Sequence, residues 1–409
     1  MPTKLTDVDL ANLDTFVAGV PHDMFDTLRR EAPLYFHPEA NGSGFWCVVR
    51  YQDLEQISRD ARVFSSEWGI TLYETDEAGL EQQRMMMLMM DPPRHTKQRL
   101  LVNKGFTPRM IGQLHERIHQ VARDIVDRIA ERGECDFVVD VAAELPLQVI
   151  AEMMGVPQHD RHKVFEWSNR LIGSEDPEYA VSAEDATGAA MELFSYANDL
   201  AAEKRADPGD DIVSTLLAAE VDGERLSDLE FDLFFELLAV AGNETTRNLI
   251  SHGMLALIEN PDQRDLLLAD SSLLPGAVDE MLRYASPVMY MRRTARADLE
   301  VNGAQIKEGD KVALWYIAAN HDPEVFADPH RFDIRRTPND YLAFGGGGPH
   351  FCLGSHLAKL EIRVMFEELL ARLPDMELNG PVQRLRSNFI NGIKHMPVRF
   401  TPRAKQAAA

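Results

Sequence analysis

The stretch Phe344-Gly-Gly-Gly-Gly-Pro-His350-Phe-Cys352-Leu-Gly354 runs straight into a helical pattern, Leu353-Gly-Ser-His-Leu-Ala-Lys-Leu-Glu-Ile-Arg-Val-Met-Phe. Four consecutive glycines make a loop without side-chain bulk, whose backbone amides are free to approach a neighbouring group closely. The loop delivers one cysteine to the start of a helix, where the dipole and unpaired N–H groups favour thiolate over thiol. A thiolate so held is a nucleophile or the ligand of a soft metal centre. A nucleophile needs a base, and His350, two residues before Cys352 on the same face of an extended loop, is the candidate. A buried structural cysteine is the third reading, and the loop alone leaves all three open.

Composition narrows the field. The chain has 409 residues, 45% of them hydrophobic, enough for a large core. No run reaches the length of a membrane span, and Met1-Pro-Thr-Lys-Leu-Thr-Asp-Val-Asp-Leu lacks a signal core, so a cytoplasmic, non-membrane-spanning protein is expected. Cys47, Cys135 and Cys352 are odd in number and far apart, which argues against a disulfide framework or a cysteine-built zinc site. A net charge of −24 argues against nucleic acid or anionic membrane as partner.

The pattern is predominantly helical with a minor β region, read as one unit over 1–409 with frayed ends at about 1–15 and 403–409. Helical periodicity holds from roughly 110 to 285, broken at Asp207-Pro208-Gly209 and Asn260-Pro261. Phe45 to Tyr51 reads as a strand. Asn302-Gly303 centres a hairpin of the type I′ kind, and Lys311 to Ile317 is expected to extend that small sheet.

Ser227-Asp-Leu-Glu230 is a capping-box signature that opens the longest helix, ending at Asn260-Pro261. Its middle, Ala241-Gly242-Asn243-Glu244-Thr245-Thr246, places small residues beside an acid and an alcohol. Thr245 is spaced to bond the Ala241 carbonyl and open the helix locally, making a groove suited to proton delivery. Glu280-Met-Leu-Arg283 is an i, i+3 ion pair that Arg331 is placed to join. In Asp91-Pro-Pro-Arg-His95-Thr-Lys-Gln-Arg99, Asp91 is a candidate helix cap. His95 and Arg99 share a face, and with Arg293 and His350 they supply four donors for an anionic cofactor bearing carboxylates.

Together these pieces resemble the haem-thiolate monooxygenases, the cytochromes P-450. The order of Ala241–Thr246, Glu280-Met-Leu-Arg283, Pro329-His-Arg-Phe332 and the Cys352 loop is that family's. Asp91-Pro-Pro-Arg-His95, Phe106-Thr-Pro-Arg109 and Asn320-His-Asp-Pro323 look like its soluble bacterial branch. The likeness runs from about residue 20 to 400. It implies a mainly α fold whose long central helix crosses a b-type haem (iron protoporphyrin IX), with dioxygen as co-substrate. Cys352 is then the axial thiolate, with amides of the loop and Gly354 bonded to the sulfur. Ala241, Gly242, Phe344 and Gly345 would lie against the macrocycle. His95, Arg99, Arg293 and His350 would hold its propionates. Thr245 and Glu244 would serve oxygen activation and proton relay, and Glu280, Arg283 and Arg331 a structural triad. One departure is visible: the family's aromatic seven residues before the cysteine is replaced by Gly345, and Phe344 lies eight before.

The resemblance places a lid near Arg84-Met-Met-Met-Leu-Met-Met90. Met86, Met87, Leu237, Val240, Val288, Met289 and Phe389 are candidate pocket residues, all apolar. They favour a small hydrophobic substrate such as a sterol side chain, terpenoid or fatty acyl chain. Half or more of the methionines are expected in the core. Three cysteines cannot hold a four-cysteine cluster and no flavin domain is legible, so electrons are expected from a ferredoxin and its reductase. That partner would dock at Lys97, Lys104, Arg109, Lys359 and Arg363; a monomer is expected. A peroxygenase or isomerase, or a haem-based sensor, is the alternative.

Overall fold

The structure, a computed structural model, describes residues 3–405 except 41, 107, 180, 181, 221 and 222; the side chains at 108–110, 113 and 183, Arg109 among them, also lie outside the described residues. Among the described residues, helix makes up 52% and strand 11%. The main core is built where Pro108–Ile129, Glu144–Met154, the central helix Asp228–Glu259, Leu274–Ala285 and Ser355–Arg372 pack together.

The central helix is 32 residues long, about 48 Å at 1.5 Å per residue. Its start is the expected capping box: the Glu230 N–H donates to the Ser227 hydroxyl, and the Ser227 N–H donates to the Glu230 carboxylate at 3.0 Å. Twenty of its residues are buried, which is why its apolar side chains are not confined to one stripe.

A five-stranded sheet packs on two smaller clusters. Its order is Leu34–His37, Phe45–Val48, Lys311–Trp315, Tyr290–Ala295, Phe64–Ser65, and only the Phe45–Val48/Lys311–Trp315 pairing is parallel. The expectation that Lys311–Ile317 extends the Asn302-Gly303 hairpin is therefore corrected. All five residues of Lys311–Trp315 are buried, and such a strand needs the middle of a sheet covered on both faces. The hairpin Leu299–Val301/Ala304–Ile306 stands alone, with Asn302 and Gly303 at φ 49° and 83° as its turn requires. The strand expected to reach Tyr51 stops at Val48, because Tyr51 opens a helix and its N–H donates to Asp322. Within the described part of the amino-terminal segment expected to fray, Val8, Leu10 and Leu13 are buried.

Candidate active site

The Cys352 loop is closed by its own backbone: the Cys352 N–H donates to the Phe344 carbonyl at 2.9 Å, and the Gly345 N–H to Leu342 at 2.9 Å. Gly345, Gly347 and Gly348 have φ of 98°, 87° and 80°, left-handed conformations that an L side chain strains to adopt. That gives the displaced aromatic a physical reason, since a phenylalanine at 345 would sit at a disfavoured φ. Phe344 instead packs beside Phe351 and Tyr341, with ring centroids 6.4 and 6.1 Å away. Gly346 and Gly348 are also required by packing, because a Cβ at either would come within 2.7 Å of Ser58 in the helix Tyr51–Arg59.

Cys352 is a free, half-buried cysteine just before the helix Ser355–Arg372. Burial pushes its thiol up, against the N–H groups of Gly354 and Ser355 and the Arg99 guanidinium, which favour the thiolate. A bound cation would add to the groups that favour the thiolate.

The basic side chains converge beside this loop. The His95 and His350 rings lie 4.3 Å apart, and Arg99 donates to the carbonyls of Pro349 and Phe351 at 2.9 and 2.6 Å. Arg293 is buried, and its Nη1 donates to the backbone carbonyl of Arg292. Burial, with the Arg99 and Arg293 charges, pulls His95 down to about 4, and burial followed by the same arginines and His95 holds His350 well below the usual histidine range. His95 Nδ1 is buried without a hydrogen-bond partner. Asp91 does not cap the helix Arg94–Val102. Its carboxylate takes the Ser66 N–H at 3.0 Å, the Ser65 hydroxyl and Arg296 at 2.6 Å.

On the central helix the Thr245 hydroxyl donates to the Ala241 carbonyl at 2.9 Å, as the spacing predicts, and the helix stays continuous through it. Leu237, Val240, Ala241 and Thr245, at i, i+3, i+4 and i+8, share an accessible face of this stretch, Ala241 the most open, with Glu236 and Gly242 also partly accessible beside them. A Cβ on Gly242 would meet Ile150 at 2.9 Å, so its smallness also seats the helix Glu144–Met154. Glu244 is 1% exposed and paired with buried Arg247, whose Nη1 donates to Asn169 at 2.8 Å. Burial raises the Glu244 carboxyl, Arg247 opposes, and Oε1 has no partner.

The Glu280 group differs from expectation in one member. Arg283 pairs with both Glu280 oxygens at 2.8 Å, but the second guanidinium belongs to Arg336, whose Nε lies 3.1 Å from Glu280. Arg331 is exposed and contributes its carbonyl, which accepts from Arg283 and Arg336. Of the pocket candidates, Val288 and Phe389 are half-buried and brought together by the Val288–Ile390 bridge. Met289 and Met87 are core residues, 1% and 7% exposed, and Met86 remains half-buried. Three of the five methionines, Met87, Met89 and Met90, are in the core.

The sequence profile of the cytochrome P450 family matches residues 266–374. The steroid C26-monooxygenase of Mycobacterium tuberculosis is 44% identical over 411 residues, covering 98% of this chain and 94% of that protein. The chain belongs to the cytochrome P450 family. The methyl-branched lipid omega-hydroxylase of Mycobacterium tuberculosis is 42% identical, covering 97% and 95% of the two chains. A Mycobacterium marinum cytochrome P450 in complex with pseudoionone superposes with a TM-score of 0.90 at 42% identity, over 96% and 98%.

As a cytochrome P450 the protein is a haem-thiolate monooxygenase that uses dioxygen. Its side chains fit the haem. Cys352 offers a sulfur already flanked by two backbone N–H donors, and Ala241 presents a flat accessible patch on the central helix. The orphaned His95 nitrogen and the nearby Arg99 and Arg293 guanidiniums suit a dianionic edge. Sequence reasoning missed Arg336, the Arg247–Asn169 pair and Glu236, a half-buried carboxyl one turn before Val240 that burial pushes up to about 7. Only Glu236 left a signal, an isolated charge within Phe234-Phe235-Glu-Leu-Leu238.

Proposed function

We propose that this P450 hydroxylates a lipophilic molecule of the steroid side-chain or branched acyl type, with electrons from a ferredoxin in the cytoplasm. The observation that carries the reading is the apolar accessible face of the central helix, Leu237 and Val240 next to Ala241 and Thr245, in a chain alike over nearly its whole length to steroid and methyl-branched lipid hydroxylases. When bound, the haem supplies dioxygen activation at an iron carrying a cysteine thiolate.

The chain's own residues orient and deliver protons. His95, Arg99, Arg293 and His350 would hold the propionate edge, and Cys352 the iron. Thr245 spends its hydroxyl proton on the Ala241 carbonyl, so its oxygen lone pairs accept from a water or a protonated oxygen on the accessible face. Glu244, raised by burial and free at Oε1, holds a proton more readily than an exposed carboxylate and passes it towards Thr245 when Arg247 lets it turn.

Thr245→Ala is expected to leave haem content and the substrate-induced low-spin to high-spin shift intact. Product formed per electron consumed should fall about tenfold, with hydrogen peroxide rising to match. Unchanged coupling would remove Thr245 from this role. Screening steroids and branched acyl chains by the spin shift, then for turnover with ferredoxin, reductase and oxygen, tests the substrate class. Turnover on peroxide alone, without an electron donor, would favour a peroxygenase.

A further inference from the structure

Away from the Cys352 loop, three histidines from opposite ends of the chain meet. His22 opens the helix His22–Glu31, His321 follows the short helix Tyr316–Ala319, and His330 lies in the loop before Arg331. Their ring centroids are 4.3, 5.3 and 5.4 Å apart, and one ring nitrogen from each lies within 4.8 Å of the other two.

The outer nitrogens of two rings are already held as in metal-bound histidines. His321 Nδ1 donates to the Ile317 carbonyl at 2.9 Å, and His330 Nε2 lies 2.9 Å from the Asp26 carboxylate. A carbonyl or carboxylate behind the ring fixes the tautomer and leaves the opposite nitrogen as a lone pair. His321 Nε2 and His22 Nδ1 are buried without any hydrogen-bond partner. Orphaned buried nitrogens in a group of three invite a ligand, because a desolvated polar atom without a partner is unfavourable.

The surrounding charge permits a cation. Arg29 is engaged by Asp26 at 2.6 Å and by the Ala318 carbonyl at 2.7 Å, and Arg283 by Glu280. Asp26, 2.9 Å from His330 Nε2, adds negative charge to the group, and Asp322 lies 4.0 Å from the Arg29 Nε.

We propose that His22, His321 and His330 bind one zinc ion, which clasps the amino-terminal helix to the segment behind the Glu280–Arg283 pair. Three imidazoles suit zinc, copper or nickel and are poor ligands for magnesium or calcium. Tetrahedral zinc at 2.0–2.1 Å needs ligand nitrogens about 3.4 Å apart, a contraction that small side-chain rotations supply. His330 is 45% exposed, so water reaches the fourth position.

The test uses untagged holoenzyme, stripped with chelator, dialysed against micromolar zinc and read by elemental analysis and thermal melting. One zinc per chain is expected, with a melting midpoint raised by a few degrees. Exposed His330→Ala should keep full haem and its carbon monoxide band yet bind zinc at least tenfold more weakly, and its melting should ignore zinc. His115 and His119, a second histidine pair with rings 4.7 Å apart, provide the control. His115→Asn with His119→Asn should retain the zinc. No zinc in the wild type, equal zinc in His330→Ala, or zinc lost only with the His115/His119 change would each overturn the proposal.

Discussion

Glu280 is wholly buried, so every donor around its carboxylate offsets a large desolvation cost. Arg283 and Arg336 supply charge, and the Asp333 N–H donates at 2.9 Å. Arg336→Ala leaves a buried carboxylate half compensated and is expected to cost about 3 kcal/mol in urea unfolding. Arg331→Ala, which keeps the carbonyl that the structure uses, should stay within about 0.5 kcal/mol. Equal losses would show that both side chains serve the group. The motif spacing pointed to Arg331 because it neighbours Phe332. Phe332 itself is drawn into the core, which leaves the Arg331 side chain outside, and a turn from Asp333 to Arg336 brings the later arginine in. Three arginines at 331, 335 and 336 look alike in sequence; only that turn separates them. Glu244 differs, since its i, i+3 pairing with Arg247 is local, while nothing nearby in sequence announces that Asn169 accepts from that arginine.

At the scale of elements, local signals were read well and distant pairings were not. The capping box, the Asn260-Pro261 stop, the Asn302-Gly303 turn and the Thr245–Ala241 bond depend on residues within a few positions of each other. The parallel pairing of Phe45–Val48 with Lys311–Trp315 depends on partners far apart in the chain, and nothing in either segment encodes the other's register. The strand Glu134–Asp136 is hidden inside a helical stretch for the same reason, as its partner is Pro397–Arg399. His395, in Ile393–His395, ties this region together: Nδ1 reaches Asp136 at 2.6 Å and Nε2 reaches Glu178 at 2.7 Å. Burial pulls its pKa down, but the bonds and charges of Asp136 and Glu178 outweigh that and raise it above 6.5, with Lys394 also paired to Glu178. A raised histidine pKa contributes stability that is full below 6.5 and lost as pH climbs through the folded value. His395→Gln should therefore lower the melting midpoint by about 2–4 °C at pH 6 and by much less at pH 9. A loss that is the same at both pH values would show that packing, not charge, holds the ring.

Across the whole molecule, a net charge of −24 surrounds a cysteine face with its own character. Phe351 and Leu100 are exposed there at 43% and 52%, unusual for large apolar side chains, and Arg99 links their segments by donating to the Phe351 carbonyl. Of the expected basic patch, Lys359 is paired with Asp279 at 2.7 Å and lies over the Tyr341 and Phe344 rings, and Arg363 is 3.6 Å from Glu367. Lys104 is exposed. Under the proposed ferredoxin-dependent function, Phe351 and Leu100 would offer apolar contact for affinity while Lys104 and Arg363 steer an acidic electron donor to this face. Steering between exposed charges weakens as salt shortens the screening length to about 10 Å at 0.1 M. Reduction of the wild type by ferredoxin should slow several-fold between low and moderate salt. Lys104→Glu with Arg363→Glu should be slower at low salt by about threefold to tenfold and nearly insensitive to salt, with the rate of reduction by dithionite unchanged. Phe351→Ala should instead weaken ferredoxin binding at every salt concentration, because its contribution is apolar area rather than field. A double charge variant that keeps the wild-type rate and salt slope would move the docking site elsewhere on the surface.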